Sequence, residues 1–457
     1  MTDVLRSLWR IRLQVIVLLA VVSGSFYSES LLTLQSAYGQ EPRSCIEFED
    51  ICTSITPSCL DYEAELDNCG RLNRWVLGDS FTEQTGLFIE GWLAQGFTWN
   101  PDNPTDKYNG PVGQNDRANE YQLNQLYLIA GRAVDTECNS LSLGFQSDII
   151  YGTDAFFFQS LGLDDQIVSD SSNRFYKLAI PQLYADIFVP IGTGVTFRIG
   201  KWYALVGYET GLATEDFFYS KSMGFNITAY SHTGVLASFN LSDQISTSHG
   251  LHRGSDVWED NNNELGYTGG ITWTSLDEAT ALTFAINLGP EQDERADWQD
   301  IDGNPGPDSP GENLNRVTYS LSLDRELTDR LSYALVHDYF YQQGSSTYGI
   351  ENAEAYGVTQ YLIYQHCDEL AAGLRLEVYR DDDGFVGSGF RSGNAAAPGI
   401  YTNLSMGLQL RPCECLLFRP EIRWDWQDRD DPTATPAFNA GLSNNQLLLS
   451  VDAVMKF

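Results

Sequence analysis

Five histidines, His232, His249, His252, His337 and His366, are the first candidates for proton-transfer chemistry. His337 has an acid beside it, Asp338, but neighbouring residues of a strand point to opposite faces, so no hydrogen-bonded dyad is expected. No Gly-x-Ser-x-Gly turn, phosphate loop or dinucleotide fingerprint accompanies the histidines. Asp300, Asp302 and Asn304 begin like a calcium loop, as do Asp381, Asp382, Asp383 and Gly384. The first match fails where a calcium loop needs glycine, because Pro305 stands there. Both stretches read as solvated acidic loops, and no enzyme activity, metal or cofactor is expected.

Eight cysteines are the next reactive set. Cys45, Cys52, Cys59 and Cys69 precede the first strand-like segment, while Cys138, Cys367, Cys413 and Cys415 fall in short turns. An even count in an exported chain reads as disulfides formed in an oxidising compartment, and the spacings lack the close Cys-x-x-Cys pairs of a zinc site. All eight are disulfide candidates, with connectivity left open.

Charged residues at alternate positions are the most informative chemistry. Arg419, Glu421, Arg423 and Asp425 alternate with Phe418, Pro420, Ile422, Trp424 and Trp426. Arg375 with Glu377, Asp452, and Arg198 stand likewise on the faces opposite apolar residues. Period two places the charges on one side of a strand and the apolar residues on the other. In a barrel of about sixteen strands the interior is too wide for side chains to fill, so these eight residues are expected to line water.

Such a face needs a framework. From Leu87 onward, segments of about ten residues alternate apolar with polar or small, the signature of a transmembrane barrel. Sixteen can be marked, ending at Leu447 to Phe457. Short links, such as Ile191 to Gly194, Glu326 to Asp329, His366 to Glu369 and Pro412 to Glu414, alternate with long ones, such as Pro101 to Asn119, Thr210 to Lys221 and Asp381 to Gly399. Short turns on one rim and long loops on the other, with both ends periplasmic, is a barrel arrangement. The fold class is therefore all-β, a transmembrane antiparallel barrel of about sixteen strands.

Arg6, Arg10 and Arg12 precede an apolar run from Leu13 to Val22, which reads as a signal peptide over residues 1–39. Residues 40–84 form a Cys-rich periplasmic segment and 85–457 the barrel. With 62 acidic against 27 basic residues the net charge is −35, which excludes a nucleic-acid partner because phosphate binding needs Lys and Arg patches.

The strand Arg419-Pro420-Glu421-Ile422-Arg423-Trp424-Asp425-Trp426 resembles the family described as "Putative beta-barrel porin-2, OmpL-like". So do Gly373-Leu374-Arg375-Leu376-Glu377 with Arg380-Asp381-Asp382-Asp383-Gly384, and Gly200-Lys201 with Gly207-Tyr208-Glu209. The resemblance runs from about Leu87 to Phe457 and implies a bacterial outer-membrane channel without cofactor or catalytic residues. Phe457 is similar to the closing aromatic that barrel-assembly machinery reads. The expected function is a porin for passive diffusion of small hydrophilic solutes or ions, with a modest cation preference. A substrate-selective channel with an inward-folded loop and a closed structural or adhesive barrel are the alternatives. Outer-membrane lipid is its surround, and a homotrimer is among its allowed assemblies.

Overall fold

The computed structural model describes residues 76–168, 175–260, 262–291, 314–344, 351–384 and 397–457. The signal-peptide and Cys-rich expectations, including Cys45, Cys52, Cys59 and Cys69, lie outside them, as do Asp300, Asp302 and Asn304. A short helix, α1 (Asp79–Thr85), leads into the first strand. The strand segments are β1 (Leu87–Trp99), β2 (Tyr121–Arg132), β3 (Ser142–Gly152), β4 (Lys177–Ala179), β5 (Leu183–Val189) and β6 (Val195–Tyr203). They continue as β7 (Ser231–Ser242), β8 (Ile245–Ser255), β9 (Gly266–Thr274), β10 (Thr280–Pro290), β11 (Asn315–Thr328) and β12 (Leu331–Gln342). The last are β13 (Ala353–Cys367), β14 (Leu370–Asp381), β15 (Gly399–Cys413), β16 (Leu416–Arg429) and β17 (Asn445–Lys456).

Each strand pairs antiparallel with its neighbour, and β17 pairs with β1 from Trp92↔Lys456 to Trp99↔Leu449, so the sheet closes. β4 and β5 both pair with β3, through Ala179↔Ile150 and Leu183↔Ser147, and form one interrupted stave. Pro181 stands in the gap, where a residue without N–H cannot donate to the ladder. The result is the expected closed barrel of sixteen staves. Phe457 seals the seam: its N–H donates to the Gly91 carbonyl at 2.9 Å and its carbonyl accepts from the Gly91 N–H at 3.1 Å.

Burial follows the pleat. On β16, Ile422 and Trp424 are exposed on the outside while Glu421, Arg423 and Asp425 are buried inside. On β17, Leu447, Val451 and Met455 face out and Leu448, Asp452 and Val454 face in. The outer surface is thus a continuous apolar belt, including Phe97, Leu128, Ile199, Leu251, Leu321 and Leu374. Water would penalise so large an apolar surface, whereas a lipid interior accepts it, and the closed ladder leaves no unpaired strand edge there.

Three turns are tighter than expected. β11 runs through Glu326 to Thr328, and Cys367 and Cys413 are the last residues of β13 and β15, because a bulge near each end carries the ladder further. Cys138 and Cys413 are free thiols, which corrects the expectation of a disulfide at each. The Cys138 Sγ lies 3.1 Å and 3.0 Å from the carbonyls of Asp135 and Ser140 in its own turn. Cys367 and Cys415 are disulfide-bonded.

Candidate functional site

The link between β6 and β7, residues 204–230, does not stand out from the rim as a long loop should. It folds into the barrel, which corrects the reading of Thr210 to Lys221 as an outer loop. The physical reason is in its sequence and in the wall it meets. Phe218, Tyr219, Met223, Phe225 and Ile227 are buried, and the 3-10 turn Gly224–Ile227 packs against β12 and β13. Such apolar side chains lose contact with water only if the loop turns inward.

Wall charges hold the backbone of this segment. Arg375 Nη1 donates to Glu209 Oε1 and to the Ser220 carbonyl, both at 2.7 Å, and Nη2 donates to the Ser220 hydroxyl at 2.7 Å and to Ser405 Oγ at 3.1 Å. Glu377 accepts the N–H groups of Met223 and Gly224 at 2.9 Å each. Glu421 accepts the Ser220 N–H at 2.9 Å and also the Ser220 hydroxyl. Arg419 reaches the Asp216 carbonyl at 2.8 Å while its other edge grips both oxygens of Asp452, at 2.9 and 2.5 Å. Arg423 binds the Lys221 carbonyl and, on its own strand, Asp425 at 2.9 Å.

Side chains from the loop complete the network. Lys221 pairs with Asp216, and Tyr208 donates to Asp324 at 2.9 Å. Burial opposes ionisation of Glu209, but the Arg375 guanidinium, the Lys221 ammonium and hydrogen bonds from Ser222 together outweigh it and hold this carboxyl below the usual range. Charge-assisted bonds of this kind are about twice as strong as neutral ones and need water excluded to be so.

The eight residues expected to line water therefore divide. All project from the lumen face, yet Arg375, Glu377, Arg419, Glu421, Arg423, Asp425 and Asp452 are each no more than 5% exposed. The aqueous lining expected of these seven is corrected: the inner segment covers them. Arg375 joins the loop's Glu209, with Glu421 at 3.8 Å, and Arg419 joins Asp452 of the neighbouring strand. Arg198 alone of the eight keeps a solvent-reached side chain, 30% exposed and bound to both oxygens of Asp186 at 2.9 Å.

Glu209, Asp216 and Lys221 were missed as site residues. The signal was present in Asp216-Phe217-Phe218-Tyr219, an aromatic run too apolar for a solvated loop.

The model of the family described as "Putative beta-barrel porin-2, OmpL-like" matches residues 86–457. The chain belongs to that family. It is an outer-membrane β-barrel with a general porin role, as the family indicates. The outer-membrane channel DcaP of Acinetobacter baumannii is similar over 81% of this chain and 97% of its own, at 11% identity and a TM-score of 0.52. OprB of Pseudomonas putida covers 84% and 97% at 10% identity and a TM-score of 0.55. OmpT, an outer-membrane protein of Vibrio cholerae in its trimer form, covers 81% and 99% at 9% identity and a TM-score of 0.50. At such identities the likeness is one of fold. None of the curated proteins matches the sequence.

Proposed function

We propose that this member of the porin-2 family is a passive diffusion channel for small hydrophilic solutes. The observation that carries the reading is the one-sided inner segment, which buries the charged wall of β14 to β17 and leaves Tyr184, Arg198, Ser238, Ser248, Thr272 and Thr283, on β5 to β10, partly exposed to the lumen. A structural plug would be expected to seal both sides.

A modest cation preference accompanies it. The loops of the wider rim carry Asp102, Asp106, Asp165, Glu259, Asp260, Asp382, Asp383 and Asp430 within a chain of net charge −35. A negative vestibule concentrates cations, and salt screens that effect over about 10 Å at 0.1 M. Outer-membrane lipid surrounds the apolar belt, barrel-assembly machinery takes the chain through Phe457, and a homotrimer is supported by the trimer form of the Vibrio cholerae neighbour.

A second reading, a substrate-selective channel, is favoured by the same inward fold. Purified protein in planar bilayers separates the two: steady conductance blind to added solutes supports free diffusion, and solute-blockable conductance supports selectivity. Absence of conductance would overturn both and leave a structural barrel.

A further inference from the structure

The inner segment leans on one half of the barrel. A methyl group added at Gly373 on β14 would sit 2.3 Å from the Phe217 ring, and one at Gly96 on β1 would sit 2.6 Å from Tyr219, so loop and wall are in tight contact there. At Gly270 on β9 the nearest loop atom to such a methyl is Leu205 Cδ1 at 3.7 Å, an ordinary van der Waals contact. The loop packs less tightly against this side.

What faces the lumen on the uncovered side is different in kind. Ser238 on β7 bonds Ser248 on β8 at 2.8 Å, and Thr272 on β9 bonds Thr283 on β10 at 3.0 Å. All four are half-buried, and they alternate with the lipid-facing Val235, Leu251, Ile271 and Leu282. Beside this strip, on β5 and β6, the partly exposed Arg198 grips the buried Asp186 in a fork-to-carboxylate geometry that neutralises both members. Arg198 also lies 3.7 Å over the Tyr184 ring. Below Thr283, Ala281 on the same strand opens onto a cavity of about 240 Å³ bounded by Tyr208, Asp324, Ala334 and Tyr361 at the short-turn rim. The hydroxyl strip and this cavity follow one another down one side of the lumen.

Resting on the diffusion-channel reading above, we propose that the permeation route runs along this strip and takes neutral, hydroxyl-rich solutes such as sugars and polyols. Hydroxyl side chains both donate and accept, so they can exchange hydrogen bonds with a solute that carries many hydroxyls. Along the hydroxyl strip, before Asp324 at the cavity, a solute with a net charge finds no uncompensated partner and loses hydration without return. The acidic rim biases the approach of ions, whereas the strip sets what crosses.

The test uses the full-length mature protein in proteoliposomes and planar bilayers, with heat-modifiable gel migration confirming that each variant is folded. Swelling rates are compared for a neutral hexose, the matching uronate and the matching amino sugar in molar salt, where rim charges are screened. The hexose should enter fastest. R198Q leaves Asp186 unpaired and should raise the cation-to-anion permeability ratio, while D186N should lower it. Each shift should be roughly twenty-five-fold, because one uncompensated charge about 4 Å from an ion's path favours one sign about fivefold in bulk water and disfavours the other about fivefold. S248E, which adds a charge without breaking the pair, should act as R198Q does. A charged sugar entering the native protein as fast as the hexose, or folded R198Q, D186N and S248E that all leave the ratio unchanged, would overturn the proposal. If no solute enters and no current flows, it is the diffusion-channel reading that fails.

Discussion

Replacing Arg375 with methionine should release the inner segment and raise the single-channel conductance. Arg375 is fully buried and makes its closest bonds to the loop, to Glu209, the Ser220 carbonyl and the Ser220 hydroxyl, each at 2.7 Å. Methionine fills much of the volume but donates nothing. It leaves Glu209 without its partner in the wall, and it leaves Glu421, 3.8 Å from Arg375, without a neighbouring cation on that side. Breaking a buried ion pair by removing one partner costs about 3–5 kcal/mol. The sheet does not bear this loss, because β14 keeps its ladder to β13 and β15. The loop does, since undocking returns Glu209 to water. A loop held by a few such contacts moves from almost always docked to open for a measurable share of the time. In planar bilayers the variant should show a larger mean conductance and frequent transitions between two levels, with heat-modifiable migration unchanged. Native conductance with native noise, in a folded variant, would refute the assignment of Arg375 as the loop's anchor.

Other consequences are open to direct measurement. Asp256, in the loop after β8, accepts the N–H groups of Tyr230 and Ser231 where the inner segment rejoins the wall, and burial pushes its carboxyl up to about 6 despite nearby Lys201. Because the folded pKa lies above the unfolded one, its contribution is present below pH 4 and is lost as pH rises through 6; D256N should flatten that slope in hydrogen exchange of the Ser231 amide. A maleimide should label Cys138 and Cys413 without reductant and leave Cys367 and Cys415 unmodified, and equal labelling of all four would contradict the assigned redox states. Deleting Phe457 removes both bonds to Gly91 at the seam and should lower the yield of heat-modifiable barrel, whereas unaltered assembly would mean that the seam closes through β17 alone.

Strand positions were legible because the membrane and the lumen impose opposite requirements on successive residues. Ile422 and Trp424 could only face lipid if Glu421, Arg423 and Asp425 faced in, and a shift of one residue would reverse every side chain. The register in which β16 meets β17, with Arg419↔Asp452 and Glu421↔Ser450, follows from that constraint. The break between β4 and β5 was less legible: the apolar period runs through Leu178 to Phe188, and the gap at Pro181 lies within it. Turn ends were blurred for a related reason, since bulges at Glu326, Gln365 and Leu410 add residues that alternation cannot count.

The site was half legible, and the missing half explains itself physically. Alternation shows which face a charge occupies but not what fills the space in front of it. Arg375, Arg419 and Arg423 have the same period as residues that would line water, and a strand pattern has no term for a loop arriving from elsewhere in the chain. The loop carried its own evidence. Asp216, Phe217, Phe218, Tyr219 and Lys221 combine aromatic bulk with charges of both signs, a composition that water does not stabilise and that a wall of paired arginines and carboxylates does. The concentration of charge on β14 to β17, against the hydroxyl side chains of β7 to β10, therefore marks where the inner segment is held. In a barrel narrowed from one side, the most heavily charged part of the wall is the part farthest from the water.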